Sequence, residues 1–585
     1  LPFLDDVTTS PASRRLASAH PALAQKCKLI FARALKIKKR SESMKLTNEE
    51  YRALEDIVGP EYITREPVIM ESYNQVWGNK LAFGHKRHNP PAAVLLPGTV
   101  GEIQSIVKYC NKTGILFKPC ARAFEYVATK LSSERGILLE LKRLNRILDL
   151  DEKNMHAVVE PFVTVYQLQD AAASVGLYTG KPGVGYSASV VSLACCHQGM
   201  TISQIYTSGY GRNVLGCEWV LPTGDVLNLG TAGREDGWFS GDGPGFSLRG
   251  ILRGRAGANG GTGVITKCSV KLSPWYADRP TTYKMKREPG EALSSGRLEK
   301  VPENYRVVVL TFPTTERMMK AATEIGQAEI ACIVAPSYLN TGMNEEGNDE
   351  QWAKMQANPV KDPTKVGRSV PVFVNGHSAR ELAYREKAVM SVMEKWDGYL
   401  DPEYNDPEVK AQMFQYQMWS TGVGGLRMTG DMMVSIQGAD GSTEMHLNYR
   451  PVEFEAFKPF RERGNIVQPS MGMSYRPMEH FSLGSSGGIA TGYDPWEPES
   501  LAAAREYMNL VYDSNSPFRR FGYTNRGAMM QVEEIEHVHE RWGPIYDHAD
   551  LWLQKIRNML DPNGVADWSG YIPPEYGMEE NKKET

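Results

Sequence analysis

From residue 91 onward, short apolar runs alternate with amphipathic stretches. Val94, Leu95 and Leu96 make a run of strand length. Thr99 follows as a helix N-cap, with Glu102 at the spacing from which a carboxylate reaches back toward the cap. Ile103, Ile106, Val107 and Cys110 recur at helical spacing and predict one buried stripe, which Gly114 ends. Ile115 to Lys118, Ile137 to Leu141 and Ala157 to Glu160 read as further strands. Thr164 with Gln167 repeats the cap pattern and opens a helix that closes near Gly176. Cys217 to Leu221 and Val226 to Leu229, joined by Pro222-Thr223-Gly224-Asp225, predict a hairpin, and Val264 to Leu272 a long alternating strand. This order predicts an α+β protein, not the steady strand–helix repetition of a doubly wound sheet.

Beyond Trp275 the pattern is weaker. Tyr305 to Thr311 and Ile330 to Ala335 are strand-like, Glu316 to Gln327 and Ser378 to Lys395 helical, and the polar stretch 340–362 predicts a surface loop. The last part is helical near Leu501 to Tyr512 and Ile545 to Leu560, then turns at Asp561-Pro562-Asn563-Gly564 and ends in a charged tail from Glu579. At the other end, Leu23, Cys27, Ile30, Phe31, Ala34 and Leu35 share one helical face, surrounded by Lys26, Lys28, Arg33, Lys36, Lys38, Lys39 and Arg40. Such a basic amphipathic helix packs on its own protein or docks on an anionic membrane or a partner subunit. The expected organisation is an N-terminal extension over 1–45, a first domain over 46–275, a second over 276–500, and a C-terminal helical segment over 501–585 that returns to the first domain.

Composition narrows the function classes. With 66 Lys and Arg against 69 Asp and Glu, the net charge of −3 argues against a nucleic-acid binder. No window approaches the roughly 20 apolar residues that span a bilayer, and the N-terminus has no signal-peptide pattern. No two of the eight cysteines form a Cys-x-x-Cys pair, which disfavours a zinc ribbon or an iron–sulfur cluster held by this chain alone. The vicinal Cys195-Cys196 reads as filler of a tight apolar spot. Free thiols imply a reducing, cytoplasmic setting, with the basic helix allowing peripheral membrane contact.

Six segments carry a resemblance. They are Pro91 to Val107, Leu139 to Ile147, Val158-Val159-Glu160-Pro161 with Val163-Thr164, Tyr210-Gly211 with Gly216 to Val226, Leu252 to Lys267, and Ile556 to Gly564. In this order they resemble the vanillyl-alcohol oxidase / p-cresol methylhydroxylase family of FAD-linked oxidoreductases, which includes D-lactate dehydrogenases and the FAD subunit of glycolate oxidase. Tyr73-Asn74, Arg122, Phe124 and Tyr126 place the N-terminal half nearer the p-cresol methylhydroxylase branch. The resemblance implies an FAD-binding domain of two α+β lobes, and a cap (substrate) domain with an antiparallel sheet. It also implies hydride transfer from a small hydroxylated substrate to flavin, and a protein electron acceptor such as a cytochrome, an iron–sulfur subunit or an electron-transfer flavoprotein, within a homo- or hetero-oligomer.

It further implies three cofactor loops. The first is Pro119, Cys120, Ala121, Arg122, Ala123, Phe124, Glu125 and Tyr126; the second contains Ser192, Cys195, Cys196 and Gly199, with Tyr210 beyond it; the third contains Gly260, Gly261 and Gly263 and runs into Val264 and Ile265. A backbone that approaches a diphosphate favours glycine. The third loop is glycine-rich, whereas the first has Ala121, Ala123 and Glu125 where the family has small or glycine residues. Two readings follow: FAD held by a modified loop with Arg122 on a phosphate, or a catalytically degenerate structural subunit that has lost tight FAD binding. The absence of a Gly-x-Gly-x-x-Gly fingerprint disfavours NAD.

In the p-cresol branch a Tyr before a glycine run binds flavin covalently. Here Gly424-Gly425-Leu426-Arg427-Met428-Thr429 offers none, so non-covalent FAD is expected. By the same alignment Arg476, Arg519, Arg520, Tyr523 and Arg526 are candidates to hold an anionic substrate oxygen, where arginine's planar fork gives two charge-assisted bonds. Asp567-Trp568-Ser569-Gly570 replaces a late basic motif of the family. Only Asp440, Gly441 and His446 remain of the D-lactate branch's metal motif, so no metal is expected. His537 and His539 read as a solvated helix face, and Met428, Met432 and Met433 as core filler.

Overall fold

The computed structural model describes residues 45–73, 90–121, 131–180, 188–196, 213–234, 237–242, 247–253, 261–279, 282–283, 285–286, 297–334, 368–418, 433–441, 466–477, 483–493 and 548–567, with scattered positions between 455 and 510. The basic N-terminal helix, the 340–362 loop, most of 501–512, His446, His537 and His539 lie outside them.

The first lobe is a four-stranded sheet of β1 (Ile63–Thr64), β2 (Ala93–Leu95), β3 (Phe117–Cys120) and β4 (Ile137–Glu140), in the order β1-β2-β4-β3. β2, β4 and β3 run parallel, and β1 pairs antiparallel on the edge. Helices α1 (Asn48–Val58), α2 (Pro67–Tyr73) and α3 (Val100–Thr113) accompany it. The expected stripe of α3 is completely buried, and the helix ends on left-handed Gly114. Its cap differs from the sequence pattern. Thr99 Oγ1 accepts from Glu102 N at 3.1 Å, but the Glu102 carboxylate turns to Gly98 N (2.8 Å) and Arg143 Nη1 (3.2 Å). Arg143 is also fixed by the Leu96 carbonyl and lies 3.7 Å from the Tyr62 ring centroid, and this packing draws the carboxylate off the cap nitrogen.

The second lobe is an antiparallel five-stranded sheet. Its strands are β5 (Ile147–Asp151), β6 (His156–Val159), β8 (Val214–Val220), β9 (Val226–Asn228) and β10 (Val264–Lys271), ordered β5-β6-β10-β8-β9. The short strand β7 (Leu177–Tyr178) pairs with β11 (Ser273–Pro274). The capping box at Thr164 forms in full and opens α4 (Val165–Ala173); α5 (Val190–Cys196) and α6 (Arg249–Arg253) complete the lobe. α4 stops before Gly176, whose φ of 75° turns the chain into β7.

The remaining strands are β12 (Met285–Lys286), β13 (Arg297–Leu298), β14 (Tyr305–Thr311), β15 (Ile333–Val334), β16 (Ser369–Asn375), β17 (Tyr399–Leu400), β18 (Met433–Gly441), β19 (Ile466–Pro477) and β20 (Leu483–Tyr493). β12 pairs with β13, and β14 to β20 build one antiparallel seven-stranded sheet in the order β17-β14-β16-β15-β19-β20-β18. Helices α7 (Thr315–Gln327) and α8 (Ala379–Lys395) pack on it through Met318, Met319, Ala322, Ile325, Leu382 and Val389, and α9 (Pro407–Met418) packs against β13 and β14. The architecture is α+β. One hydrophobic core runs from the second lobe into this sheet, through a seam in which Tyr178 stacks on Trp275 (5.1 Å between ring centroids) and Tyr305 meets Phe414 edge-on (5.0 Å). Each such ring pair contributes on the order of 1 kcal/mol beyond its buried area.

Helix α10 (Ala549–Leu560) precedes the Asp561-Pro562-Asn563-Gly564 turn. The chain then runs alongside β3: Phe117 N donates to the Val565 carbonyl (2.9 Å) and Phe117 bridges Ala566 in parallel.

Candidate functional site

The first expected cofactor loop leaves the carboxyl end of the parallel strands, where open α/β sheets bind ligands. Pro119 and Cys120 end β3 and Ala121 follows; Arg122, Ala123, Phe124 and Tyr126 lie outside the described residues. Burial, then Glu140, pushes the Cys120 thiol up to about 12 against the pull of Lys118, so it stays protonated. Glu140 accepts from Tyr73 Oη (2.7 Å) and pairs with Lys142 (3.2 Å). Burial first, and this hydrogen bond second, hold the Tyr73 phenol well above its ordinary range. Tyr73 is thus a permanent neutral donor that partly offsets an acidic group beside the loop.

In the second segment Ser192 N donates to Ser189 Oγ (3.0 Å), which fixes the first turn of α5. Cys195 is fully buried, and its Sγ lies 3.8 Å from that of Cys268 inside the core. Its side chain is therefore a packing element, and Cys196 closes the helix. Gly199 and Tyr210 lie outside the described residues.

The third loop has the most defined geometry. Gly261 and Gly263 have φ of 76° and 107°, values that side-chain-bearing residues rarely adopt. A Cβ on Gly263 would overlap the Val220 carbonyl oxygen and stand 3.0 Å from Trp219 Nε1. Trp219 is completely buried, and its indole N–H donates to the Thr262 carbonyl at 2.8 Å. Val264 and Ile265 then pair with Val220 and Trp219. Gly260 lies outside the described residues.

Two buried polar side chains, Thr262 in the third loop and Gln169 in α4, were not evident from sequence. The Thr262 hydroxyl is buried without a hydrogen-bond partner. Gln169 is completely buried; its Oε1 accepts from Thr179 N (2.9 Å) and Oγ1 (2.7 Å), while its Nε2 has no partner. Buried polar groups in native proteins are normally satisfied, so the Thr262 hydroxyl keeps spare hydrogen-bonding capacity within the third loop. The single sequence signal for Thr262 is its position between two glycines.

Of the substrate candidates, Arg476 lies in β19 opposite Gly484 of β20. Arg519, Arg520, Tyr523 and Arg526 lie outside the described residues, as does the 424–429 stretch. Asp440 is in β18 opposite Ser486. Among the described residues no group of His, Cys, Asp and Glu could hold a metal ion, and no helix is long and apolar enough to cross a membrane.

This arrangement fits FAD. The positive-φ backbone at Gly261 and Gly263 is of the kind that can approach a dinucleotide, and Thr262 between them brings an unsatisfied hydroxyl to the same turn; the missing Cβ of Gly263 makes room for the Val220 carbonyl.

Comparison with known proteins agrees. Residues 91–230 match the family described as FAD binding domain. The chain is 24% identical over 236 residues to the mitochondrial D-lactate dehydrogenase [cytochrome] of Arabidopsis thaliana, covering 40% of this chain and 34% of that protein. It is 29% identical over 193 residues to glycolate oxidase subunit GlcD of Bacillus subtilis (32% and 37%). It is also 29% identical over 191 residues to the flavoprotein subunit of 4-cresol dehydrogenase [hydroxylating] from Pseudomonas putida (32% and 34%). Each match thus spans only about a third of the relative's length. The structural likeness is far wider. Substrate-bound p-cresol methylhydroxylase superposes with a TM-score of 0.65 at 17% identity, over 90% of this chain and 97% of that one. The 4-ethylphenol oxidase of Gulosibacter chungangensis also gives 0.65, at 18% identity, over 91% and 98%. Residues 91–230 are therefore similar to an FAD binding domain, set in a chain with the fold of p-cresol methylhydroxylase.

Proposed function

We propose that this protein is an FAD-dependent dehydrogenase of a small hydroxylated substrate, phenolic or a 2-hydroxyacid, which passes its electrons to a protein acceptor. The observation that carries the reading is the third loop: two positive-φ glycines and an unsatisfied buried hydroxyl, held by the Trp219–Thr262 bond. The backbone of Pro119 to Ala121 and the turn Gly261 to Gly263 would hold the dinucleotide, with Arg122 on a phosphate. Bound FAD supplies two-electron oxidation by accepting a hydride. Arg476, Arg519, Arg520, Tyr523 and Arg526 are assigned to orient the anionic oxygen of the substrate, and the buried cap–lobe seam excludes water from the core between the domains. Relatives named as a flavoprotein subunit and as a cytochrome-linked dehydrogenase support a companion protein as acceptor: a cytochrome, an iron–sulfur subunit or an electron-transfer flavoprotein. The stretch 424–429, without Tyr or His, supports non-covalent attachment.

The visible spectrum of the purified full chain tests the proposal. One flavin per chain, released by acid and bleached under nitrogen by D-lactate, glycolate or 4-cresol, is the expected result. A colourless protein that refuses added FAD would overturn it and leave a structural subunit built on an inherited fold.

A further inference from the structure

Helix α3 has two working faces. One is the apolar stripe that packs into the first lobe. The other is polar and carries Gln104, Lys108 and Asn111, spaced four and three residues apart on one side of the helix. This second face receives the β8–β9 turn of the second lobe. Gln104 Nε2 donates to the Gly224 carbonyl at 2.8 Å. Asn111 Nδ2 donates to the Pro222 carbonyl at 2.7 Å and to the Val107 carbonyl of its own helix at 2.8 Å. Gly224, at a φ of 88°, lies so close that a Cβ there would stand 2.8 Å from Lys108 Cγ. Asn111 Oδ1 in turn accepts from Asn563 Nδ2 at 2.7 Å. One side chain thus links the first lobe, the second lobe and the C-terminal turn.

This clasp sits directly behind the third loop. Pro222 and Gly224 follow the end of β8, whose Val220 carbonyl lies against Gly263 and whose Trp219 holds Thr262. Val220 and Val264 share a core with Ile106, Val107 and Phe117 of the first lobe. Apolar burial of this kind holds two bodies together but is non-directional; hydrogen bonds add direction. Pro222 has no N–H, so its carbonyl is the backbone group by which it can be gripped. Pro222 is buried, and removing the Asn111 amide costs that carbonyl its donor. We propose that Asn111, assisted by Gln104, is a positioning residue for FAD: it fixes the second lobe on α3 in the orientation that presents the Gly261–Gly263 turn to a dinucleotide shared by the two lobes. The inference rests on the FAD reading above.

Substitutions in the full-length protein test it. Asn111→Ala should raise the FAD dissociation constant about tenfold and Gln104→Ala about threefold. Asn563→Ala leaves the bond to Pro222 in place and should stay within about twofold of the parent. Asn111→Asp supplies a pH profile that a merely structural role would not produce. At about pH 8 its carboxylate cannot donate and faces two carbonyl oxygens, so it binds FAD at least as poorly as the alanine variant. At about pH 5 the carboxyl, readily protonated in such surroundings, donates again and affinity returns toward the parent's, while Asn111→Ala keeps its deficit. Hydrogen–deuterium exchange, measured on flavin-free protein, should quicken over residues 219–229 in Asn111→Ala and remain unchanged over β14 and β16. A folded Asn111→Ala with parental affinity and exchange would overturn the proposal. So would an Asn563→Ala as impaired as Asn111→Ala, or an Asn111→Asp that does not recover on acidification. Should Asn111→Ala fail to fold, Gln104→Ala with parental affinity and exchange overturns it instead. If the parent protein takes up no FAD, the functional reading fails, and the exchange data alone still decide whether Asn111 holds the lobes together.

Discussion

The turn before β10 and the loop after β3, to which the proposed function gives one task, differ sharply in composition. The first is glycine-rich and closed: Gly263 has no room for a side chain, and Trp219 holds the turn from behind. The second is glycine-poor, and its described surroundings are held by side chains: Glu140 by Tyr73 and Lys142, and Ser132 by Asp567. Under the proposed function both would meet one dinucleotide, the first through backbone freedom and the second through a backbone that carries side chains.

The contrast can be broken most sharply at Gly263. Gly263→Ala combines a positive φ with overlap against the Val220 carbonyl, so a loss of about 2–4 kcal/mol is expected in chemical or thermal unfolding, together with lost flavin. An alanine variant of parental stability would show that the turn is not closed. Thr262→Val is expected to be near-neutral or slightly stabilising without flavin, since it removes a buried unsatisfied hydroxyl, and to weaken FAD binding by about fivefold. Titration of the apoprotein with FAD separates the two effects; unchanged affinity would remove Thr262 from the site. The smallest effect belongs to the glycine-poor loop. Ala121→Gly should cost about 0.5–1 kcal/mol in stability through the looser unfolded chain, and shift FAD affinity less than about threefold. A large gain in affinity would mean that the side chain obstructs the cofactor instead of being accommodated.

The sequence was most legible where one face of an element is buried and a cap marks its start. The α3 stripe, the Thr164 box, the β8–β9 hairpin and β14 all appear within a few residues of their predicted bounds. The short strands shift instead. β3 begins at Phe117 because its ladder with β4 starts there, and β15 shows only Ile333–Val334 within the described residues. Three other strands of the seven-stranded sheet were illegible for specific reasons. β16 is buried at every position, so it has no alternation to read. β19 contains Pro469 at a break in register between Val467 and Ser470, where a sequence reading would end the strand. β20, Leu483–Tyr493, is rich in glycine and serine and draws its extended form from neighbours on both sides. At the candidate site the glycine pattern pointed to the third loop, but the surroundings of the first loop were not legible. They include the contact between residues 132 and 567, and no periodicity reports a hydrogen bond across that separation.

The aromatic seam of Tyr178, Trp275, Tyr305 and Phe414 has a consequence for how such a chain can change over time. Because the seven-stranded sheet and the second lobe share one interior, neither can be exchanged as a module without exposing large rings on both cut faces. New specificities in this architecture must therefore arise by remodelling residues around a fixed joint, not by shuffling whole halves.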